Sequence, residues 1–179
     1  MHIDADIELV RQCRNGDGHA FELLIGKYEK PIYNAAFRML RDTSDAEDVT
    51  QTAFMKAFEK LDSYKPEFRF YSWLYRIVIN ESINVLNGRH HSAELDEERI
   101  PGRDTPETSL DQGQLNTAMQ SALMTISADY RAVVVLRHFL ECSYHEISEA
   151  LDIPEKTVKS RLFTARRLLR DRLANAGLL

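Results

Sequence analysis

The chain has 179 residues, a 44% hydrophobic fraction and only 7 Gly and 5 Pro, which suits one or two small and mostly helical domains. Its two cysteines, Cys13 and Cys142, are too few and too unpatterned for a disulfide framework, and no apolar run is long enough to span a bilayer. Met1-His2-Ile3-Asp4 lacks a basic-then-apolar signal pattern, so a cytoplasmic protein with no membrane segment of its own is expected.

In chain order, Asp4 is placed to cap a first helix carrying Ile7, Leu9, Val10 and Cys13, and Asn15-Gly16-Asp17-Gly18 breaks it. A second helix holds Ala20, Phe21, Leu23, Leu24 and Tyr28. Pro31 then opens a third, with Ile32, Ala35, Ala36, Phe37 and Leu40 inward, because proline suits a first helical turn. These three form a small bundle. Thr43-Ser44-Asp45-Ala46-Glu47-Asp48 starts the next helix, with acids where the helix dipole favours them, and it runs to about Leu61. Val49, Ala53, Phe54, Ala57, Phe58 and Leu61 make a broad buried arc. Asp45, Asp48, Gln51, Thr52, Met55 and Glu59 lie opposite. That face is either plainly solvated or a docking surface, the second reading resting on a methionine set among acids and an amide.

Asp62 to Arg69 reads as a loop, followed by the aromatic-rich helix from Phe70 to Asn84. Phe70, Leu74, Ile77, Val78 and Val85 share its inward side. Trp73, Arg76, Asn80 and Asn84 share a flanking stripe beside a loop that carries Tyr64 and Phe68. Rings, cations and side-chain amides together are the means of holding unpaired bases. A protein core also uses many aromatics, so each ring taken singly has two readings; the stripe as a whole favours a single-stranded nucleic acid.

Gly88 is expected to end this helix. Residues 89–111 lack periodicity, hold Pro101-Gly102 and Pro106, and are mostly acidic, as a flexible linker between two domains would be. The adjacent His90 and His91 lack the spacing of a helical metal pair. No phosphate-cradling glycine loop, nucleophile elbow or metal-spaced cysteine pair is present, so neither a cofactor nor catalysis is expected. An enzyme using Asp45, Glu47 and Asp48 with a metal would need partners that these acids lack.

Beyond the linker, a helix carries Leu115, Met119, Ala122, Leu123 and Ile126. Ser127 caps another with Val133, Val134, Leu136 and Leu140. Ser143, with Glu146 three residues later, opens a short helix by a capping box, and Asp152-Ile153-Pro154 ends it. A last helix runs from about Pro154 to about Leu173. Val158, Leu162, Ala165 and Leu169 form its inward stripe, while Lys156, Lys159, Ser160, Phe163, Arg167 and Arg170 face outward. Two helices about a tight turn, the second basic with an exposed ring, read as a helix-turn-helix for duplex DNA. Cations meet phosphate or guanine, and a ring meets a thymine methyl. The net charge of −5 at first argues against this, but the basic helix and the acidic run Glu94 to Asp111 are far apart in the chain. Weak DNA binding by the free chain follows. The expected architecture is all-α, with two helical domains, 1–88 and 112–179, joined by the acidic linker 89–111.

Three stretches, in order, resemble the extracytoplasmic-function, sigma-E-like sigma factors of bacterial RNA polymerase. They are Asp45-Ala46-Glu47-Asp48-Val49-Thr50-Gln51-Thr52-Ala53-Phe54; Phe70-Tyr71-Ser72-Trp73-Leu74-Tyr75-Arg76-Ile77; and Ser143-Tyr144-His145-Glu146-Ile147 with Thr157-Val158-Lys159-Ser160-Arg161-Leu162. The resemblance covers nearly the whole chain. It implies a transcription initiation factor that binds core RNA polymerase and promoter DNA, both duplex and single-stranded. Asp45, Asp48, Gln51 and Met55 would grip the clamp helices of the largest subunit, and the second domain would meet the flap of the second-largest. Tyr64, Phe68, Trp73, Arg76, Asn80 and Asn84 would melt the minus-ten element and hold a flipped base. Lys156, Lys159, Ser160, Phe163 and Arg167 would read the minus-thirty-five element, with Arg161 on phosphate. The acidic linker would thread the channel that later carries RNA, and an anti-sigma factor is expected as a further partner. This chain has Thr164 where such members often have arginine, and Lys65-Pro66-Glu67-Phe68-Arg69 where relatives often carry a glycine-containing turn. The rival reading is a dimeric helix-turn-helix regulator that is not a polymerase subunit; it accounts for the second domain but for neither the Trp73 stripe nor the acidic linker.

Overall fold

Helices supply all the regular structure among the described residues of the computed structural model, which are 3–93 and 110–175, with side chains described over 5–89 and 116–175. The acidic run from Glu94, Pro101-Gly102 and Pro106 lies outside them. So do the side chains of Asp4, His90, His91, Asp111 and Leu115.

The first unit comprises α1 (Ile3–Arg14), α2 (Gly18–Leu40), α3 (Thr43–Glu59) and α4 (Phe70–Ala93). Gly16, at φ +94°, makes the turn out of α1, and Asp17 caps α2 by accepting from the amides of His19 and Ala20. Contrary to the expectation, Pro31 does not begin a helix; it lies inside α2. Phe21, Leu24, Tyr28, Ile32, Ala35 and Met39 form one buried stripe on both sides of it. That stripe stays in register only if the helix is continuous, so packing overrides the hydrogen bond that proline cannot make.

Asp42, not a residue of the Thr43-Ser44 pair, caps α3 by accepting from the Asp45 amide. Ala46, Ala53 and Ala57 are buried along α3 and allow its close approach to α2 and α4. Phe58 was expected in this buried arc but is 57% exposed, lying edge-on to Phe21 with ring centroids 5.0 Å apart. The alanines carry the contact, and Phe58 falls at the edge of the arc.

Gly88 does not end α4, which continues to Ala93. A helical glycine costs about 1 kcal/mol relative to alanine, and that alone does not stop a long helix. Arg89, one residue further on, pairs with Asp45 and, at 3.7 Å, with Asp42, tying the last turns of α4 to the start of α3.

The second unit comprises α5 (Leu110–Met124), α6 (Ala128–Val134), α7 (Tyr144–Leu151) and α8 (Glu155–Asn175), with a π turn over Val135–Phe139 after α6. Leu123, Leu136, Ile147 and Leu162 are its largest fully buried side chains. Ser127 precedes α6 but its hydroxyl makes no capping bond. Ser143 and Glu146 form both bonds of the capping box: the Ser143 amide donates to Glu146 Oε2 at 2.7 Å, and the Glu146 amide donates to Ser143 Oγ at 3.2 Å. Asp152, left-handed at φ 53°, ends α7.

The two units pack on each other through α2 with α5 and α4 with α7. Arg131 is buried in this contact. Its guanidinium donates to the carbonyls of Leu123 and Ile126 at 2.9 and 3.1 Å, and across the boundary to that of Met39. Burial, and after it the charge of Arg89, presses its pKa down from the usual guanidinium value. The Gln120 amide adds bonds to the carbonyls of Phe37 and Arg38 at 3.3 and 3.2 Å. The Arg38 and Met39 carbonyls in the last turn of α2 thus gain donors from the second unit, while that of Leu40 accepts from Arg89 of α4.

Candidate nucleic-acid interface

α4 and the loop before it place Phe68, Trp73, Arg76 and Asn80 on one cleft of about 520 Å³, with Lys56, Lys60 and Lys65 around it. Arg76, Asn80 and Asn84 are exposed, whereas Trp73 is half-buried and rests on Tyr64 and Phe70 at centroid distances of 5.6 and 5.7 Å. Three residues of the sequence stripe, Trp73, Arg76 and Asn80, thus bring a ring, a cation and an amide to one groove. Asn84 lies on the same helix outside the cleft lining.

Tyr64 is placed differently. It is 2% exposed, its ring packs edge-on to Phe70, and its hydroxyl donates to the Phe68 carbonyl at 2.6 Å. It braces the loop from below and presents no ring to a base. The sequence identified the loop as aromatic but could not rank its rings by depth.

One side of this cleft belongs to the second unit, since Glu146 and Glu149 of α7 also line it. Glu146 accepts from the hydroxyls of Tyr71 and Ser72, both at 3.2 Å, and lies 3.6 Å from Arg69 Nε. Burial pushes the Glu146 carboxyl upward. The bonds from Ser143 and Ser72 and the charge of Arg69 outweigh that and hold it below the ordinary carboxylate value. This contact was not foreseen, because Glu146 had already been assigned to the capping box.

On α8, Lys156, Lys159, Ser160, Phe163 and Arg167 are exposed, and Phe163 is 71% exposed. Val158, Leu162, Ala165 and Leu169 bury the opposite stripe. Lys159 sits 5.5 Å from the centre of the Tyr144 ring, on the helix before the turn. Arg161 does not share the outer face. It is largely covered and pairs with Asp129 of α6 at 3.0 Å. Its position follows from the helical angle: one residue past Ser160, it points along the flank toward α6.

On α3, Gln51 and Met55 line an apolar groove of about 830 Å³ with Phe21, Ile25, Tyr33, Phe54 and Phe58. Met55 is 58% exposed. Asp48 is exposed but does not line the groove, whose acids are Glu29 and Glu47, while Asp45 is engaged by Arg89. Among the described residues no three His, Cys, Asp or Glu side chains gather as metal ligands.

A helical unit with a lysine-flanked aromatic cleft, followed by a helix-turn-helix unit with a basic outer helix, is the architecture of a DNA-binding protein. The family model described as Sigma-70 region 2 matches residues 24–91, and that described as Sigma-70, region 4 matches 116–169. The chain is 33% identical over 175 residues to the RNA polymerase sigma-H factor of Pseudomonas aeruginosa, covering 91% of each. It is 32% identical over 177 residues to the ECF RNA polymerase sigma factor SigW of Bacillus subtilis, covering 92% of this chain and 94% of that one. Its structure resembles that of the sigma factor RpoE from Bartonella quintana, solved in complex with the anti-sigma factor NepR, with a TM-score of 0.74, 25% identity, and coverage of 86% of this chain and 96% of that one. The chain belongs to the ECF sigma factors. It is a transcription initiation factor, and the reading as a free-standing dimeric regulator is set aside.

Proposed function

We propose that the two surfaces divide promoter recognition residue by residue. Phe68, Trp73, Arg76, Asn80 and Asn84 hold the melted minus-ten strand, with Tyr64 bracing the loop rather than touching DNA. Lys156, Lys159, Ser160, Phe163 and Arg167 enter the major groove at the minus-thirty-five element. Arg161 orients α8 through Asp129 and reaches phosphate only if that pair opens. Asp48, Gln51 and Met55 meet the clamp helices of the polymerase largest subunit, with Asp45 setting the end of α3 through Arg89. The second unit meets the flap of the second-largest subunit.

The observation that carries this reading is the convergence of Phe68, Trp73, Arg76 and Asn80 on one lysine-flanked cleft, since unpaired bases need stacking and amide contacts together. The first working domain runs through α4, to Ala93, and the second begins with α5, at Leu110, the residues between them serving as the tether through the RNA channel. An anti-sigma factor is the expected regulator, supported by the complex of the structural neighbour. The chain acts in the cytoplasm, where the polymerase is, and makes or breaks no covalent bond itself. Run-off transcription with purified core polymerase and genomic promoter fragments tests the whole. Start sites that appear only with this chain are expected, and none from any natural promoter would refute it.

A further inference from the structure

α1 lies outside the part of the chain that the family model for region 2 covers, yet it reaches the loop that borders the minus-ten cleft. The helix is a firm platform. Asp6 is buried and accepts from Lys27 Nζ and from the Tyr28 hydroxyl of α2, both at 2.5 Å. From the last turn of α1, Arg14 Nη2 donates to the carbonyls of Leu61, Asp62 and Tyr64 at 2.8, 3.2 and 2.6 Å. Its Nε lies 3.8 Å from the Asp62 carboxylate.

The loop itself is built from short turns: Ser63 to Lys60, Tyr64 to Leu61, and Phe68 to Lys65. Such turns fix local shape but do not fix where the loop sits relative to α4. Arg14 ties one end to α1, and at the other the Tyr64 ring packs on Phe70 and Trp73 of α4 while its hydroxyl closes on the Phe68 carbonyl within the loop. Both act on the backbone flanking Lys65 and Phe68, the loop residues that line the cleft beyond Ser63. A guanidinium suits the task because the two N–H groups of one Nη2 can be shared among the three carbonyls while Nε faces the Asp62 carboxylate.

We propose that Arg14 is a positioning residue for minus-ten capture: by gathering the carbonyls of Leu61, Asp62 and Tyr64 it sets the register of Lys65 and Phe68 against Trp73. The inference rests on the cleft being the minus-ten site. Misplacing such a contact by an ångström weakens capture and also blurs the choice among bases, because discrimination depends on geometry more than total contact does.

The test uses full-length chain in holoenzyme with core polymerase, and a promoter selected by native holoenzyme from a randomised duplex library. Fluorescence anisotropy reads affinity for its minus-ten single strand and for strands altered at one base. Arg14→Met should weaken strand binding about tenfold and flatten the ratio between selected and altered strands, the loss expected for charge-assisted bonds. Core and minus-thirty-five duplex affinities should stay within about twofold. Arg14→Lys, which keeps charge and three donors, should recover part of both losses. Tyr64→Phe, which keeps the ring and removes the other clasp, should show the same signature more weakly, and it decides the matter if Arg14→Met fails to fold. Native discrimination in Arg14→Met or, failing that, in Tyr64→Phe overturns the proposal, as does a parallel fall in core affinity. Phe68→Ala separates the two levels. If it weakens strand binding while Arg14→Met does not, only the positioning role falls; if Phe68→Ala is also inert, the minus-ten assignment of the cleft falls and the positioning role with it.

Discussion

The Ser72 hydroxyl donates to the Glu146 carboxylate at 3.2 Å, joining the helix beneath the minus-ten cleft to the first helix of the helix-turn-helix. The same carboxylate caps α7 through the Ser143 amide, so one acid serves local helix stability and inter-unit packing together. Its pKa is held below 4.5 in the folded chain. A carboxyl depressed on folding contributes stability that is complete above its unfolded value and is lost as pH falls through the folded one. Inter-unit contact should therefore be complete at neutral pH and loosen only on acidification below the ordinary carboxylate range. Energy transfer between dyes on the two units should follow that course, and Ser72→Ala should move the loosening to higher pH. A flat response across the acid range would refute the link.

Glu149 lines the cleft from the second unit without belonging to the capping box. Glu149→Gln removes a negative charge facing a site meant for phosphate and bases. The free chain should then bind single-stranded DNA about three- to tenfold more tightly at low salt, with the gain shrinking as salt rises. Anisotropy titrations at two ionic strengths check this; equal affinities would mean that the acid does not obstruct the cleft.

Lys159 and Arg161 are two residues apart but differently placed, one exposed on the outer face and the other paired with Asp129. In holoenzyme, Lys159→Ala should lower the slope of log affinity against log salt by about 0.9 on minus-thirty-five duplex, while Arg161→Ala should leave it nearly unchanged. Phe163→Ala should cost under about 0.5 kcal/mol of stability, since the ring is exposed, and yet weaken duplex capture about tenfold.

Trp73 is half-buried, so truncating it has two consequences. Trp73→Ala should cost about 2 kcal/mol of stability through lost packing on Tyr64 and Phe70. At a temperature where the variant is folded, permanganate reactivity of the promoter should fall far more than affinity for core polymerase. Equal losses would make the ring purely a core residue.

The helix-turn-helix was legible because its signals are local. A capping box, a residue before proline and a basic stripe opposite an apolar one each lie within a few residues. The Trp73-Arg76-Asn80 face was legible for the same reason. Features that depend on what a helix packs against were not. Pro31 reads as a helix start until the stripe running through it is known to be buried on one continuous surface. Phe58 and Tyr64 are both aromatic residues near the end of α3, but the alanine-lined approach of α3 leaves Phe58 at its edge while Phe70 and Trp73 of α4 bury Tyr64. Arg14 gave no signal, since its acceptors are backbone carbonyls some fifty positions away, which composition and periodicity do not mark.

Arg131, in the second unit, binds carbonyls at helix ends in both, so parting the units would strip the Met39 carbonyl of its buried donor and leave the guanidinium an acceptor short. A single thermal event is the natural result, with heat uptake matching an all-or-none model despite the bipartite chain. In a cell, such coupling would make turnover by proteases an all-or-nothing affair. A molecule released from polymerase either refastens whole or offers both halves for degradation at once.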